Sequence, residues 1–169
     1  MKTTKSHSLP KLRYGYKGLE PIISEEPLTT HHDKHHLVCL NGANAILEKM
    51  EKARKDGLDF DVKSTLKELS FHIGGHLLHS LFWRTWLLLE KVEAPPPGGY
   101  LGDEIGGEFG SFDRFKKEFN QVANSVEGCG WAALAYCRQT KPLLIMQIEK
   151  HNVNVYPAGL GCLGACILH

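Results

Sequence analysis

Histidines occur in two dense clusters in this sequence, and their number and spacing indicate metal chemistry. The first cluster is HHDKHH at residues 31–36, and the second lies within FHIGGHLLHSLFW at residues 71–83. Seven of the ten histidines fall in these two segments. Neutral imidazole is a common protein ligand for iron, manganese, copper and zinc. A single inward histidine is more simply a hydrogen-bonding group within a helix pair, but two clusters on facing helices favour a metal between them.

Two long helices are predicted to carry these clusters. Ser24 can cap a first helix that runs to about Lys55, with acidic residues in its first turn and a glycine just after its end. One stripe of this helix, expected to face inward, contains His31, His35, Val38, Cys39, Gly42 and Ile46. Asp61 can cap a second helix that runs to about Leu89. On it the histidines at 72, 76 and 79 share one side, and the apolar positions are Leu66, Leu69, Ile73, Leu77 and Leu81.

A second domain is predicted after a linker rich in proline and glycine at residues 93–100. Its elements are helices over 101–108 and 112–125, the latter capped by Ser111, and strands over 131–137 and 143–149 joined by a hairpin. The predicted fold class is α+β. An N-terminal antiparallel helical hairpin (residues 1–92) precedes an incomplete C-terminal α/β domain with a small antiparallel sheet (residues 101–169).

Composition and charge exclude several classes of function. The formal net charge is +1 with both signs interspersed, so a nucleic-acid partner is not expected. No apolar run is long enough to span a membrane, and the N-terminus lacks the apolar segment of a secretory signal. The five cysteines contain no CxxC pair, which favours a reduced, cytoplasmic setting over a disulfide scaffold or a closed zinc site.

Six segments carry a resemblance to a known family. They are LEP with IS at residues 19–24, HHDKHH followed by LNGAN, FHIGGHLLHSLFW, FGSFDRFKKEF, GCGWAAL and EKHNVN. In this order they resemble the iron/manganese superoxide dismutases, in particular the archaeal or bacterial iron-type branch. The resemblance covers nearly all of residues 9–155.

The resemblance implies a set of site residues and an activity. His31 and His79 correspond to metal ligands, and His35 to a histidine near the substrate funnel. Trp83 and Trp131 correspond to an aromatic cage around the metal. His151 stands where the family has a Gln or His that hydrogen-bonds metal-bound solvent. The implied cofactor is one iron or manganese per chain, the substrate is superoxide, which is converted to dioxygen and hydrogen peroxide, and the assembly is a homodimer or homotetramer.

The sequence departs from the family pattern at two places. Cys39 replaces a gateway tyrosine, and a thiol near peroxide can itself oxidise. The family's DVWEHAYY-type motif, with Asp and His ligands, is absent, and no Asp or Glu follows Glu149. We therefore expect a truncated chain with impaired activity and a sheet without its third strand. Codons for residues 159–169 can be chosen so that a frame displaced by one base reads ALDVWEHAYF, which suggests a frameshift.

Two other interpretations remain open from the sequence. The chain could be a non-catalytic metal-binding remnant that uses His31, His35, His76 and His79 for zinc or copper. It could instead be an interaction protein that pairs with a full-length relative through the unpaired edge of its sheet.

Overall fold

The computed structural model describes residues 6–86, 98–137 and 143–153, and the backbone of 160–164. The chain divides into two compact units, Met1–Arg84 and Thr85–His169. Residues 93–97 of the predicted linker, the hairpin at 138–142 and the predicted helix end at 87–89 lie outside the described residues. No described helix is both long enough and apolar enough to cross a membrane.

The first predicted helix is confirmed, but residues 31–36 within it are π-helical instead of α-helical. It consists of α1 (Glu25–Thr30), a π-helical segment (His31–His36) and α2 (Leu37–Asp56). Ser24 occupies the N-cap position with an extended backbone, although its side chain makes no capping hydrogen bond. Gly57, at φ 66°, ends the helix in the left-handed conformation, and the Leu58 amide donates to the Ala53 carbonyl across 2.9 Å. This pattern is a Schellman motif, which satisfies carbonyls that the helix leaves open.

The second helix, α3 (Val62–Thr85), begins as predicted after Asp61. The Asp61 carboxylate accepts from the Ser64 amide across 3.1 Å, which is the capping contact that a first turn needs. The apolar positions were predicted wrongly in part, because Leu66 and Leu77 are exposed. The buried side instead carries Thr65, Gly75, Leu78, His79, Phe82 and Trp83. The two glycines at 74–75 weaken the apolar signal on which the predicted stripe was based.

The two long helices pack antiparallel. Contacts pair ascending positions of the first helix with descending positions of the second, namely His31 with His79, His36 with His76 and Gly42 with His72. The His72 side chain lies close to the backbone at Gly42, where an added Cβ would be 2.5 Å from the His72 imidazole. The glycine therefore allows the ring to lie flat against the α2 backbone.

The N-terminal arm, residues 6–24, is tied to the first helix at three points. The His7 amide donates to Asn44 Oδ1 across 2.8 Å, and Asn44 Nδ2 donates to the His7 carbonyl across 3.0 Å. Further along, the Tyr16 hydroxyl donates to the Asp33 carboxylate across 2.6 Å. Between these points, the buried ring of His32 contacts both the Pro10 carbonyl and Asp33. The arm therefore belongs to the packed structure of the first unit.

The second unit places two helices against a sheet. The helices are α4 (Gly99–Phe109) and α5 (Phe112–Asn124), and the Ser111 side chain caps α5 by accepting from the Arg114 amide. Because α5 is apolar along one side only, it packs that side on the sheet. Members of the shared core are Ile105, Phe119, Ala123, Ala132, Leu134 and Leu143.

The sheet has three strands, which corrects the expectation that its third strand is lost. Strands β1 (Gly130–Cys137) and β2 (Leu143–Glu149) match the prediction, and β3 (Leu160–Gly164) adds a third in the order β2-β1-β3. Both neighbours run antiparallel to β1, with an irregular register between Leu134 and Ala135 on the β3 side. Ladder hydrogen bonds use only backbone groups, so this glycine-rich segment can pair without the family's side chains. The β1 edge that a strand-pairing partner would need is occupied by β3.

Candidate metal centre

The HHDKHH segment turns different histidines inward from those that a regular helix predicts. His32 and His36 are buried, at 5% and 0% exposure, whereas His35 is exposed and Val38 is 63% exposed. The inward orientation predicted for His35 is therefore wrong. The cause is the π-helical segment, in which i→i+5 hydrogen bonding places more residues in one turn than a 100° helical wheel assumes. No feature of the sequence alone signals this change of helix type.

His31 and His79 lie side by side between the two helices. Their ring centroids are 4.9 Å apart with an interplanar angle of 83°. The Nδ1 of His79 lies 2.7 Å from the Gly75 carbonyl, one turn earlier on α3, and because a carbonyl only accepts, Nδ1 carries the proton. The Nε2 atom of His79 therefore bears the lone pair, which is the form in which a histidine binds a metal.

Aromatic rings surround this pair of imidazoles. The rings of Phe82 and Trp83 lie 5.3 and 5.0 Å from that of His31, centroid to centroid. Trp83 is only 2% exposed. His35, despite its exposure, keeps its ring 5.9 Å from His31. Bulky, nearly dry walls of this kind limit the access of solvent to a metal site.

Hydrogen bonds join three side chains next to this pair, namely Trp83, His36 and His76. Trp83 Nε1 donates to His36 Nδ1 across 2.9 Å, and His36 Nε2 lies 2.8 Å from His76 Nδ1. The His36 ring is also stacked on His79, with centroids 5.1 Å apart and an interplanar angle of 13°. Burial, reinforced by the neighbouring imidazoles, lowers the pKa of His36 to about 3, so this ring is neutral. The sequence did not identify His36, because a regular helical wheel places His35 and not His36 on the inward side of the helix.

Cys39 lies on the buried side of α2. It is 4% exposed, and burial raises the pKa of its thiol. A thiol in an apolar environment stays protonated, and it is a poor nucleophile in that state. The position that the resemblance gives to a tyrosine is therefore occupied by a small, uncharged and weakly donating group.

In the second unit, Trp131 and His151 form a pair of their own. Trp131 is fully buried, and its Nε1 donates to His151 Nδ1 across 3.0 Å. Because an indole nitrogen only donates, His151 Nδ1 must accept, and in the neutral ring the proton resides on Nε2. His151 can therefore donate a hydrogen bond from the far side of its ring.

The fit to a metal is that of an incomplete donor set. Among the residues whose side chains are described, no group of three or more His, Cys, Asp or Glu converges on one point. His31 and His79 alone form a pair of imidazoles, a donor type that suits iron as well as zinc, copper and nickel. The zinc or copper cluster that adds His35 and His76 is not assembled here, since His76 Nδ1 is engaged by His36.

The family is decided by comparison with known proteins. Residues 6–87 match the family model described as iron/manganese superoxide dismutases, alpha-hairpin domain, and residues 97–166 match that of the C-terminal domain. The chain belongs to the iron/manganese superoxide dismutase family. The two matched regions together span almost the whole of both structural units.

Individual dismutases show how much of the chain is shared. The iron superoxide dismutase of Methanothermobacter marburgensis is 52% identical over 153 residues, which are 90% of this chain and 75% of the relative. That of Pyrobaculum aerophilum is 50% identical over 159 residues, covering 90% and 72%. The manganese/iron enzyme of Aeropyrum pernix is 43% identical over 166 residues, covering 95% and 74%. The dismutases similar to this chain thus include iron and manganese/iron enzymes.

Proposed function

We propose that this chain is a superoxide dismutase whose iron or manganese is held by His31 and His79. The observation that carries the proposal is the pairing of the two imidazoles at 4.9 Å, with the His79 tautomer set by Gly75. Membership of the dismutase family supports the same reading. The metal, when bound, supplies the one-electron chemistry that converts superoxide to dioxygen and hydrogen peroxide.

The other site residues have roles that follow from their surroundings. Phe82 and Trp83 keep water from the His31 ring. His35 stands at the exposed side of that ring, where a small anion would enter. Cys39 stays protonated, so it acts as a small weak donor in place of a phenol. His151 is oriented by Trp131 and donates from Nε2, and the family resemblance assigns Trp131 to the aromatic cage.

For the chain as printed, we include impaired activity in the proposal. Two imidazoles make an open site of low affinity, and residues 150–169 contain no Asp or Glu to supply a carboxylate. The frameshift hypothesis gives a direct comparison. A variant with residues 159–168 replaced by ALDVWEHAYF should bind one metal per chain tightly, whereas the printed chain should bind weakly and turn over slowly.

The first test is elemental analysis of the purified chain together with ligand variants. His31→Ala and His79→Ala should each lower bound iron or manganese at least 10-fold, because one imidazole of the pair is lost. His72→Ala is the matched control, since His72 lies on the same helix but packs on Gly42. Metal content that is equal in all four proteins would contradict the assignment of the ligands.

Assembly and location belong to the same proposal. The dismutase family suggests a homodimer or homotetramer, and five cysteines without a CxxC pair favour a reduced, cytoplasmic setting. Sedimentation velocity of the purified chain would test the assembly, and a monomer at micromolar concentration would contradict it.

A further inference from the structure

Trp83, His36 and His76 form a row of hydrogen bonds beside the His31–His79 pair, and the partners in this row determine where its protons lie. Trp83 Nε1 can only donate, so His36 Nδ1 accepts. The neutral His36 ring therefore carries its proton on Nε2, from which it donates to His76 Nδ1 across 2.8 Å. His76 in turn must accept at Nδ1. The direction of every hydrogen bond in the row is thus determined by the indole at its start.

This row cannot serve as a path for protons. An indole N–H has no lone pair with which to accept a proton, so the row ends at Trp83. The row also excludes His76 as a ligand through Nε2. Metal binding there would require a proton on Nδ1, and that proton would oppose the one on His36 Nε2.

The row instead holds in place the Trp83 and His36 rings, which contact the His31–His79 pair. The Trp83 ring lies edge-on to His31, at 5.0 Å and 74°, and its centroid is 6.2 Å from that of His79. His36 is stacked on His79 at 5.1 Å. A shift of the His36 ring would therefore disturb both imidazoles of the candidate site.

We propose that His36 and His76 are positioning residues for this site. Trp83 selects the His36 tautomer, His76 accepts from His36 Nε2 and so holds that ring in place, and the three rings together orient His31 and His79. The consequence for metal binding rests on the proposed function, but the hydrogen-bond row does not. His7, whose exposed ring contacts His76 edge-on at 5.1 Å, lies beyond the last hydrogen bond of the row.

The row can be tested by NMR on the metal-free full chain labelled with nitrogen-15. A scalar coupling across the hydrogen bond should join Trp83 Nε1 to His36 Nδ1, and a second should join His36 Nε2 to His76 Nδ1. His76→Asn keeps an acceptor oxygen close to the position of Nδ1 and should preserve the first coupling. His76→Leu leaves the buried Nε2–H of His36 without an acceptor, so the His36 ring should shift and the first coupling should weaken or disappear. His7→Ala is the control and should leave both couplings unchanged.

The effect on the site can be measured separately with Mn²⁺. Titration followed by the EPR signal of free Mn²⁺ should show affinity about 10-fold weaker in His76→Leu, and near the parent value in His76→Asn and His7→Ala. Absence of both couplings in the parent chain, or an unchanged Trp83–His36 coupling in His76→Leu, would overturn the proposal. So would equal Mn²⁺ affinities in His76→Leu and His76→Asn. If the parent chain binds no Mn²⁺ at all, the proposed function fails, while the couplings still decide whether the row exists.

The parent spectrum keeps the test independent of folding in the variants. If His76→Leu does not fold, Trp83→Phe takes its place. That variant removes the donor, so the His36 Nδ1 resonance should move and the tautomer should no longer be unique. An unchanged resonance would count against the proposal.

Discussion

Among the described residues, each unit contains a tryptophan that donates to a histidine Nδ1, namely Trp83 to His36 and Trp131 to His151. An indole is a rigid donor without an acceptor, so it leaves its partner ring only one neutral tautomer. A histidine that must present a defined nitrogen to a reaction site gains from such a neighbour. The same result is achieved for His79 by a backbone carbonyl, at Gly75.

The hydroxyl group of Tyr14 is a buried polar group that lowers the stability of the fold. This hydroxyl is buried without a hydrogen-bond partner among the described residues, and burial raises its pKa to about 12. Tyr14→Phe should therefore increase the free energy of unfolding at pH 7 by about 1 kcal/mol, since a buried unsatisfied group is removed. Urea denaturation measures this difference.

The same substitution has an expected pH dependence. The pKa in the fold lies above the ordinary value near 10, so the fold favours the protonated phenol. The contribution of this pKa difference to the free energy of unfolding is complete below pH 10, and it is lost as the pH rises from 10 to about 12. The advantage of Tyr14→Phe over the parent should therefore grow across that interval. A constant difference between pH 9 and pH 11.5 would show that Tyr14 ionises freely in the fold.

At the scale of elements, the two serines that were predicted to cap helices, Ser24 and Ser111, differ in whether their side chains make a capping hydrogen bond. Ser111 accepts from the Arg114 amide across 3.1 Å, whereas Ser24 makes no side-chain capping bond. Ser111→Ala should lower the free energy of unfolding by about 1 kcal/mol. Ser24→Ala is the matched control and should cost clearly less. Chemical denaturation would measure both, and equal costs would contradict the capping geometry.

The contact between Gly42 and His72 makes a second prediction for the helix pair. Alanine is favoured over glycine within a helix by about 1 kcal/mol, but a Cβ here would lie 2.5 Å from the His72 ring. Gly42→Ala should therefore destabilise the parent chain and stabilise a His72→Ala background. A double-mutant cycle would measure the coupling between the two sites. Additive effects would show that the ring moves aside without cost.

Sequence patterns predicted most of these elements, and the failures have physical causes. Regular periodicity and end signals such as Ser111, Asp61 and Gly57 identified the helices, and two apolar segments on either side of a hairpin signal identified β1 and β2. Strand β3 was missed because pairing through the backbone leaves little trace in a glycine-rich segment. The π-helical segment was missed because its effect is geometric, and that error alone exchanged His35 for His36 as the inward ring. The pairing of His31 with His79 agrees with the predicted facing clusters, but their tautomers required coordinates.

At the scale of the whole molecule, the N-terminal arm is part of the first unit's stability. The Tyr16 hydroxyl donates to the Asp33 carboxylate across 2.6 Å, and this bond to a charged group lowers the pKa of Asp33. Tyr16→Phe should loosen the arm by about 1.4 kcal/mol, which corresponds to roughly 10-fold faster trypsin cleavage at the exposed Lys11 and Arg13.

Tyr100→Phe is the control for this measurement, because Tyr100 is an exposed tyrosine of the second unit. It should leave cleavage of the arm unchanged. Cleavage of Tyr16→Phe at the parent rate would mean that the arm is held mainly by its contacts at His7 and Pro10.

The π-helical segment also affects where the chain can lose a residue. Substitutions within residues 31–36 change one side chain at a time, but the loss of one residue there would allow the turn to close into a regular α-helix. Six residues of a π-helix turn the chain about as far as five residues of an α-helix, roughly 500° in each case. Everything before the segment would therefore keep nearly its rotation relative to α2, and the arm would keep its contact with Asn44. A single-codon deletion that spares His31 is therefore expected to be tolerated better at this turn than in the regular turns of α2, where it would rotate the preceding chain by about 100°.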